Sequence, residues 1–172
     1  GFYGLLDGGK TAVIEMAACA GLPLVEGRKN PLLTTTYGVG LLMRDAVARG
    51  VKKIILGLGG SATNDFGCGA AAALGISFLD ESGAAFIPTG GTLSKVAQVV
   101  RSGETDCLDG VEISLMCDVK NPVYGPHGAA YIYAPQKGAD PEQVRLLDDG
   151  LRHICEVVRR DLGCDVSDLV GG

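Results

Sequence analysis

The run Ile54-Ile55-Leu56 enters Gly57-Leu58-Gly59-Gly60, and no other stretch constrains the fold of this chain as much. Three small polar residues, an alanine and a carboxylate follow, Ser61-Ala62-Thr63-Asn64-Asp65. An apolar strand ending in glycines predicts a strand–turn–helix unit. Such a turn aims backbone N–H groups and a helix N-terminus at one point, which suits a phosphate or a carboxylate.

The flanking sequence extends that unit. Ala12-Val13-Ile14 lies in a strand from Thr11 to Met16, broken at Gly21-Leu22-Pro23. Thr34-Thr35-Thr36 offers N-caps to a helix that aligns Val39, Leu42, Met43, Ala46 and Val47 on one face. Gly50 ends it. The strand from Val51 to Leu56 is apolar apart from Lys52 and Lys53 and reads as buried on both faces. A small-residue helix from Cys68 to Leu74 follows, then a strand at Ile76–Leu79. A turn-rich segment spans Asp80 to Gly110. Further strands are expected at Glu112–Cys117 and Ala130–Tyr133. Asp140-Pro141-Glu142-Gln143 is a helix start with a capping box. Val144, Leu147, Leu151, Ile154 and Val158 form the stripe of that last helix, which Gly163 closes. Strands alternating with helices predict an α/β fold with a mainly parallel open sheet flanked by helices.

Bulk properties narrow the partners. With 172 residues, 47% of them hydrophobic, the chain fills one domain with a sizeable core. A net charge of −5, with scattered Lys and Arg, argues against nucleic acid. The six cysteines form no CxxC pair, and several sit in apolar runs, so they read as reduced, small hydrophobes in a cytoplasmic protein without zinc. No signal peptide or membrane-length apolar run is present. The chain starts at Gly1 and ends at Leu169-Val170-Gly171-Gly172 as if a Gly-rich turn were opening, and it reads as a piece of a longer protein.

Three loops carry candidate chemistry. Gly57 to Asp65 is not a Walker A loop, because no Lys-Ser/Thr pair follows the glycines. It does fit a dinucleotide fingerprint, Gly57-x-Gly59-x-x-Ala62, with Asp80 at the end of the next strand as ribose ligand. A tight turn without a ligand is the plain alternative. The second loop is Cys117-Asp118-Val119-Lys120-Asn121-Pro122, leading to Gly125-Pro126-His127-Gly128. Asp118 stands past a strand's C-terminal end, where open α/β sheets place ligand contacts, or it bonds its own turn. The third is Ala134-Pro135-Gln136-Lys137-Gly138-Ala139, in which Lys137 faces an anion or solvent. Three loops after three parallel strands would share one sheet edge.

These residues match a known pattern. Gly57-Leu58-Gly59-Gly60-Ser61-Ala62-Thr63-Asn64-Asp65 resembles the Gly-Gly-Ser-Ala-Thr loop of the type I glycerate kinases. The likeness continues through Ala73-Leu74-Gly75, Phe78-Leu79-Asp80, Cys117-Asp118-Val119-x-Asn121-Pro122 and Pro135-Gln136-Lys137-Gly138-Ala139. Phe2-Tyr3-Gly4, Ala12 to Ala17 and Asn30-Pro31-Leu32 extend it over essentially the whole chain. The resemblance implies transfer of the γ-phosphoryl of ATP to D-glycerate, commonly at the 2-hydroxyl, with Mg²⁺. Gly59, Gly60 and Ser61 would then orient a carboxylate or phosphate, with Thr63, Asn64 and Asn121 among the binding residues. Asp65 would approach the acceptor hydroxyl or the metal, Asp118 would be a second carboxylate, and Lys137 would offset phosphate charge. The resemblance does not fix the metal ligands, the regiochemistry or whether the protein is a homo-oligomer.

Two departures stand out. Family members usually have Gly-Gly after the loop aspartate, where this chain has Phe66-Gly67. The Asp-Ser-Phe-Lys motif near the family's N-terminus and its flanking Gly-rich acidic motifs are absent. The chain therefore resembles the central domain of a two-domain kinase, inserted within another α/β domain that completes the cleft, with little or no activity alone. A dinucleotide-binding module and a domain serving only stability or assembly are the other readings.

Overall fold

Helices and strands alternate from the N-terminus as the hydrophobic spacing requires. The computed structural model describes residues 1–101 and 107–167, so the expected turn at Leu169–Gly172 lies outside the described residues. In chain order the elements are β1 (Gly4–Leu6), β2 (Thr11–Glu15), α1 (Ala17–Ala20), α2 (Tyr37–Ala48), β3 (Lys53–Gly57), α3 (Cys68–Ala73), β4 (Ile76–Leu79), β5 (Ala85–Phe86), β6 (Gln98–Arg101), β7 (Glu112–Met116), α4 (Ala129–Tyr133) and α5 (Pro141–Leu162). The main sheet has the order β1-β2-β3-β7. Its β2–β3 and β3–β7 pairs are parallel, and β1 is an antiparallel edge. The mainly parallel α/β architecture is thus present.

One expected strand is corrected. Ala130–Tyr133 lies in helix α4, not in a strand. Periodicity cannot separate a short apolar run from a helical turn, and Gly128 in extended backbone starts a helix there. The strand at Ile76–Leu79 exists but leaves the main sheet. It pairs antiparallel with β5 and β6 in a separate three-stranded sheet, order β5-β4-β6.

Each sheet has its own core. Helix α2 lays Val39, Met43 and Ala46 against Ala12, Ile14, Ile54 and Leu56 of the main sheet. Ile54 and Leu56 are buried but Ile55 is only partly so. The central strand alternates, because α2 covers one face; the expected burial on both faces does not occur. Helix α5 packs Leu147, Leu151 and Ile154 against Phe78 and Val99 of the smaller sheet and against Val96, which precedes β6. Its start is the anticipated capping box: the Asp140 carboxylate accepts from the Glu142 and Gln143 N–H groups at 2.9 Å, and Gln143 accepts from the Asp140 N–H. Small residues join α2 to α3. A side chain at Gly40 would strike the Ala70 carbonyl and the Ala73 methyl, so the two backbones approach closely.

Among the described residues, β7 is an uncovered edge of the main sheet. Ile113, Leu115 and Met116 are 40%, 61% and 63% exposed. Among the described residues, no helix is long and apolar enough to cross a membrane.

Candidate active site

The glycine loop begins where β3 ends, but it does not turn at once into a helix. It runs beside the segment after β2. The Met16 N–H donates to the Gly57 carbonyl, Leu22 N–H to Gly60 and Ala62 N–H to Ala20, and Gly21 bridges Ser61. Helix α3 starts only at Cys68 and has six residues. Its first donors are consumed internally: Cys68 N–H by the Asp65 carbonyl, Gly69 N–H by the Asp65 carboxylate, Ala70 N–H by Thr36 Oγ1 and Ala71 N–H by the Gly67 carbonyl. The expected helix N-terminus is therefore closed to an external anion.

Asp65 does the closing. Its Oδ2 accepts from Thr36 N (2.7 Å), Thr36 Oγ1 (2.8 Å), Thr35 Oγ1 (3.4 Å) and Gly69 N (3.2 Å), and its Oδ1 from Gly67 N (3.3 Å). The residue is 1% exposed. A carboxylate so occupied clamps the starts of α2 and α3 together. The sequence offered one hint of this partnership, the Thr34–Thr36 run. Thr36 does not cap its own helix with its side chain but turns to Asp65 instead.

The rest of the loop is ordered by its own hydroxyls. Ser61 Oγ lies 2.7 Å from Thr63 Oγ1 and accepts the Thr63 N–H. Thr34 Oγ1 donates to the Ala62 carbonyl. Asn64 is 6% exposed, and its Nδ2 is buried without a hydrogen-bond partner.

The three loops do converge. A cavity of about 580 Å³ is lined by Gly59, Gly60 and Ser61, by Cys117, Asp118 and Val119, and by Gln136 and Lys137. Thr63, Asn64 and Asp65 also line it, with Phe66, Leu115, Met116 and Tyr133 supplying apolar wall that sequence reasoning left mostly unassigned. Asp118 is exposed there. Lys137 is half-buried, and its Nζ donates to the Thr63 carbonyl at 2.6 Å. Burial pushes its amine down from 10.5 to about 8, against the opposing pull of the Asp65 charge.

Asn121 is not among the cavity-lining residues. Its amide donates to the His127 carbonyl and accepts the Tyr133 hydroxyl at 2.6 Å, so both ends are committed to holding the second loop on α4. Asp80 is also elsewhere. Its carboxylate takes Ser82 N, Ser82 Oγ and Ala84 N in the turn between β4 and β5, away from the parallel sheet. A dinucleotide fold needs that residue on the neighbouring parallel strand.

The model of the glycerate kinase family matches residues 1–172. The chain belongs to the glycerate kinase family. It is 45% identical over 171 residues to the glycerate kinase of Bacillus cereus, covering 99% of this chain and 45% of that protein. It is 43% identical over 170 residues to the glycerate 2-kinase of Escherichia coli, covering 98% of this chain and 45% of that protein. The fold superposes with a TM-score of 0.95 on a Salmonella typhimurium LT2 protein assigned as glycerate kinase 2, with 44% identity over 99% of this chain and 46% of that one. The chain thus spans less than half the length of the glycerate kinases it matches.

Mg²⁺ would find few protein ligands here. Among the described residues there is no group of three His, Cys, Asp or Glu side chains able to hold a metal. Asp118, exposed in the cavity lining, suits the usual Mg²⁺ arrangement of one or two carboxylates with substrate phosphates.

Proposed function

We propose that this chain forms one wall of an ATP-dependent glycerate kinase that converts D-glycerate to 2-phosphoglycerate. The observation that carries the reading is a desolvated lysine in the cavity where the three loops meet. Lys137 is a desolvated amine whose described partner is a carbonyl, and Asn64 holds an orphaned amide donor. A bound anion supplies the opposite charge that the ammonium lacks.

On this reading Lys137, Asn64, Ser61 and Thr63 bind and orient the anionic groups of ATP and glycerate, aided by the backbone of Gly59 and Gly60. Phosphoryl transfer depends chiefly on such positioning and charge neutralisation. Asp118 would hold Mg²⁺, which when bound offsets the charge of the transferring phosphate. Asp65 fixes the loop from behind. The flanking polypeptide closes the other side of the cleft; the exposed apolar residues of β7 and the chain's share of its relatives' length support this. The isolated chain has little or no activity. Its six free cysteines suit the reducing cytoplasm.

The test is a coupled assay of the full-length protein with ATP and D-glycerate, with the product assigned by phosphorus NMR. Formation of ADP and 2-phosphoglycerate supports the reading. Absence of ADP formation overturns it.

A further inference from the structure

Asp148 is a buried carboxylate with no part in the cavity lining. It lies in the interior of α5, 5% exposed, beside the apolar stripe that packs on the smaller sheet. A charge in such a place is costly unless it is bonded. Its Oδ1 accepts the Gly125 N–H at 2.7 Å. Its Oδ2 stands 3.8 Å from Arg152, one helical turn further along α5. The Arg152 guanidinium lies over the Tyr124 ring, 4.6 Å from its centroid. Two side chains of one helix thus grip two consecutive residues of the second loop. A charge-assisted bond to one N–H and a cation over the adjacent ring fix both the place and the tilt of that turn.

The turn is stiff in itself. Gly125 stands at φ +95°. The Gly128 N–H donates to the Gly125 carbonyl at 2.7 Å, and the Ala129 N–H lies 3.2 Å from both the Pro122 and the Val123 carbonyls. A side chain at Gly128 would strike the Tyr124 backbone. What leaves the turn on either side is cavity wall. Before it, Asn121 ties the Asp118 segment to the His127 carbonyl and the Tyr133 hydroxyl. After it, α4 carries Tyr133. Asp118, Val123 and Tyr133 line the cavity, whereas Gly125 and Asp148 do not. The grip therefore acts from outside on a rigid piece that carries the wall.

We propose that Asp148 is a positioning residue: through Gly125, and with Arg152 on Tyr124, it sets where Asp118 and Tyr133 stand in the phosphoryl-transfer cavity. This rests on the glycerate kinase reading above. Asparagine at this position keeps an acceptor for the Gly125 N–H, whereas alanine leaves that donor unpaired.

The experiment compares full-length wild type, Asp148→Ala, Asp148→Asn and Arg152→Ala. It records kcat with ATP and D-glycerate below the melting transition of every variant, and hydrogen exchange of peptides covering residues 118–133 and strands β2 and β3. Asp148→Ala is expected to lower kcat by about tenfold or more, because a misplacement of about 1 Å costs up to roughly 100-fold. It should speed exchange in 118–133 while β2 and β3 keep their protection. Asp148→Asn should restore most of both. Arg152→Ala, at an exposed position, should shift both readouts in the same direction by less, and it decides the matter if Asp148→Ala fails to fold. Wild-type kcat in a folded Asp148→Ala overturns the proposal. So does exchange that quickens equally in β2 and β3, the mark of a purely structural role, or an Asp148→Asn as impaired as the alanine variant. Should Asp148→Ala not fold, an Arg152→Ala matching wild type in both readouts overturns it. A wild type that forms no ADP removes the functional reading, and the proposal falls with it; an active wild type with unaltered variants removes the proposal alone.

Discussion

Lys137 Nζ donates to the carbonyl of Thr63 across 2.6 Å, tying two loops that lie 74 positions apart in the chain. The bond satisfies one of three ammonium protons and brings no opposite charge. Burial therefore lowers the affinity of this amine for its proton to about 8, where an ordinary lysine stands at 10.5. Between those values the unfolded chain binds more protons than the folded one, so the lysine's contribution to stability rises with pH across that window. Ligand binding has the opposite preference, because a carboxylate favours the ammonium. In the full-length protein KM for D-glycerate is expected to climb as pH passes about 8, while Lys137→Gln has a high KM without that climb. Glycerate keeps a constant charge in this range, so initial-rate measurements from pH 6.5 to 9.5 isolate the lysine.

The two candidate carboxylates should part company on mutation. Asp65→Asn replaces an acceptor-only group among five donors with one that must present an N–H to some of them. A loss of at least about 2 kcal/mol in stability is expected, visible in urea unfolding of this chain. Asp118→Asn, at an exposed position, should melt as wild type yet lower kcat of the full-length protein. Equal stability of the two variants would remove the distinction.

Gly69 tests the same clamp from the other side. A methyl there would press on Thr35 Oγ1, on Tyr37 N at 2.6 Å and on Asp65 Oδ2 at 2.9 Å. Gly69→Ala should cost about 1–3 kcal/mol by overpacking, whereas Gly59→Ala, with nothing within 4 Å, should change stability by less than about 0.5 kcal/mol. Thermal denaturation of the two variants decides.

The capping box of α5 gives a prediction that involves no ligand. Asp140→Ala removes two charge-assisted bonds to backbone N–H groups and should destabilise by about 1 kcal/mol. KM for both substrates should stay at the wild-type value.

What could be read in advance follows the physics of each signal. Helix α5 was legible because its cap, its stripe and its length all agree, and α2 because its apolar spacing runs through three turns. Helix α4 was not, since five residues carry no usable period. The placement of Ile76–Leu79 in a second sheet also escaped, because strand propensity says nothing about pairing partners. At the site, the convergence of the first two loops was legible from their positions after strands β3 and β7; the third was expected to follow a parallel strand at Ala130–Tyr133 and instead reaches the cavity from the end of helix α4. The employment of Asp65 was not. A buried carboxylate and a reactive one have the same letter, and only the long-range approach of Thr35 and Thr36 separates them. The partners of Asn121 were hidden for the same reason: His127 and Tyr133 are brought by a loop and a helix that sequence spacing leaves undefined.

The bare edge of β7 also governs how the chain behaves in the tube. Among the described residues β7 pairs only with β3, and an edge strand with exposed Leu115 and Met116 is a template for β-addition by a neighbouring chain. Preparations of this chain alone should therefore self-associate as concentration rises, and the limit on handling them is colloidal. Charged substitutions at Leu115 and Met116 offer a route to preparations that stay dispersed without disturbing either core.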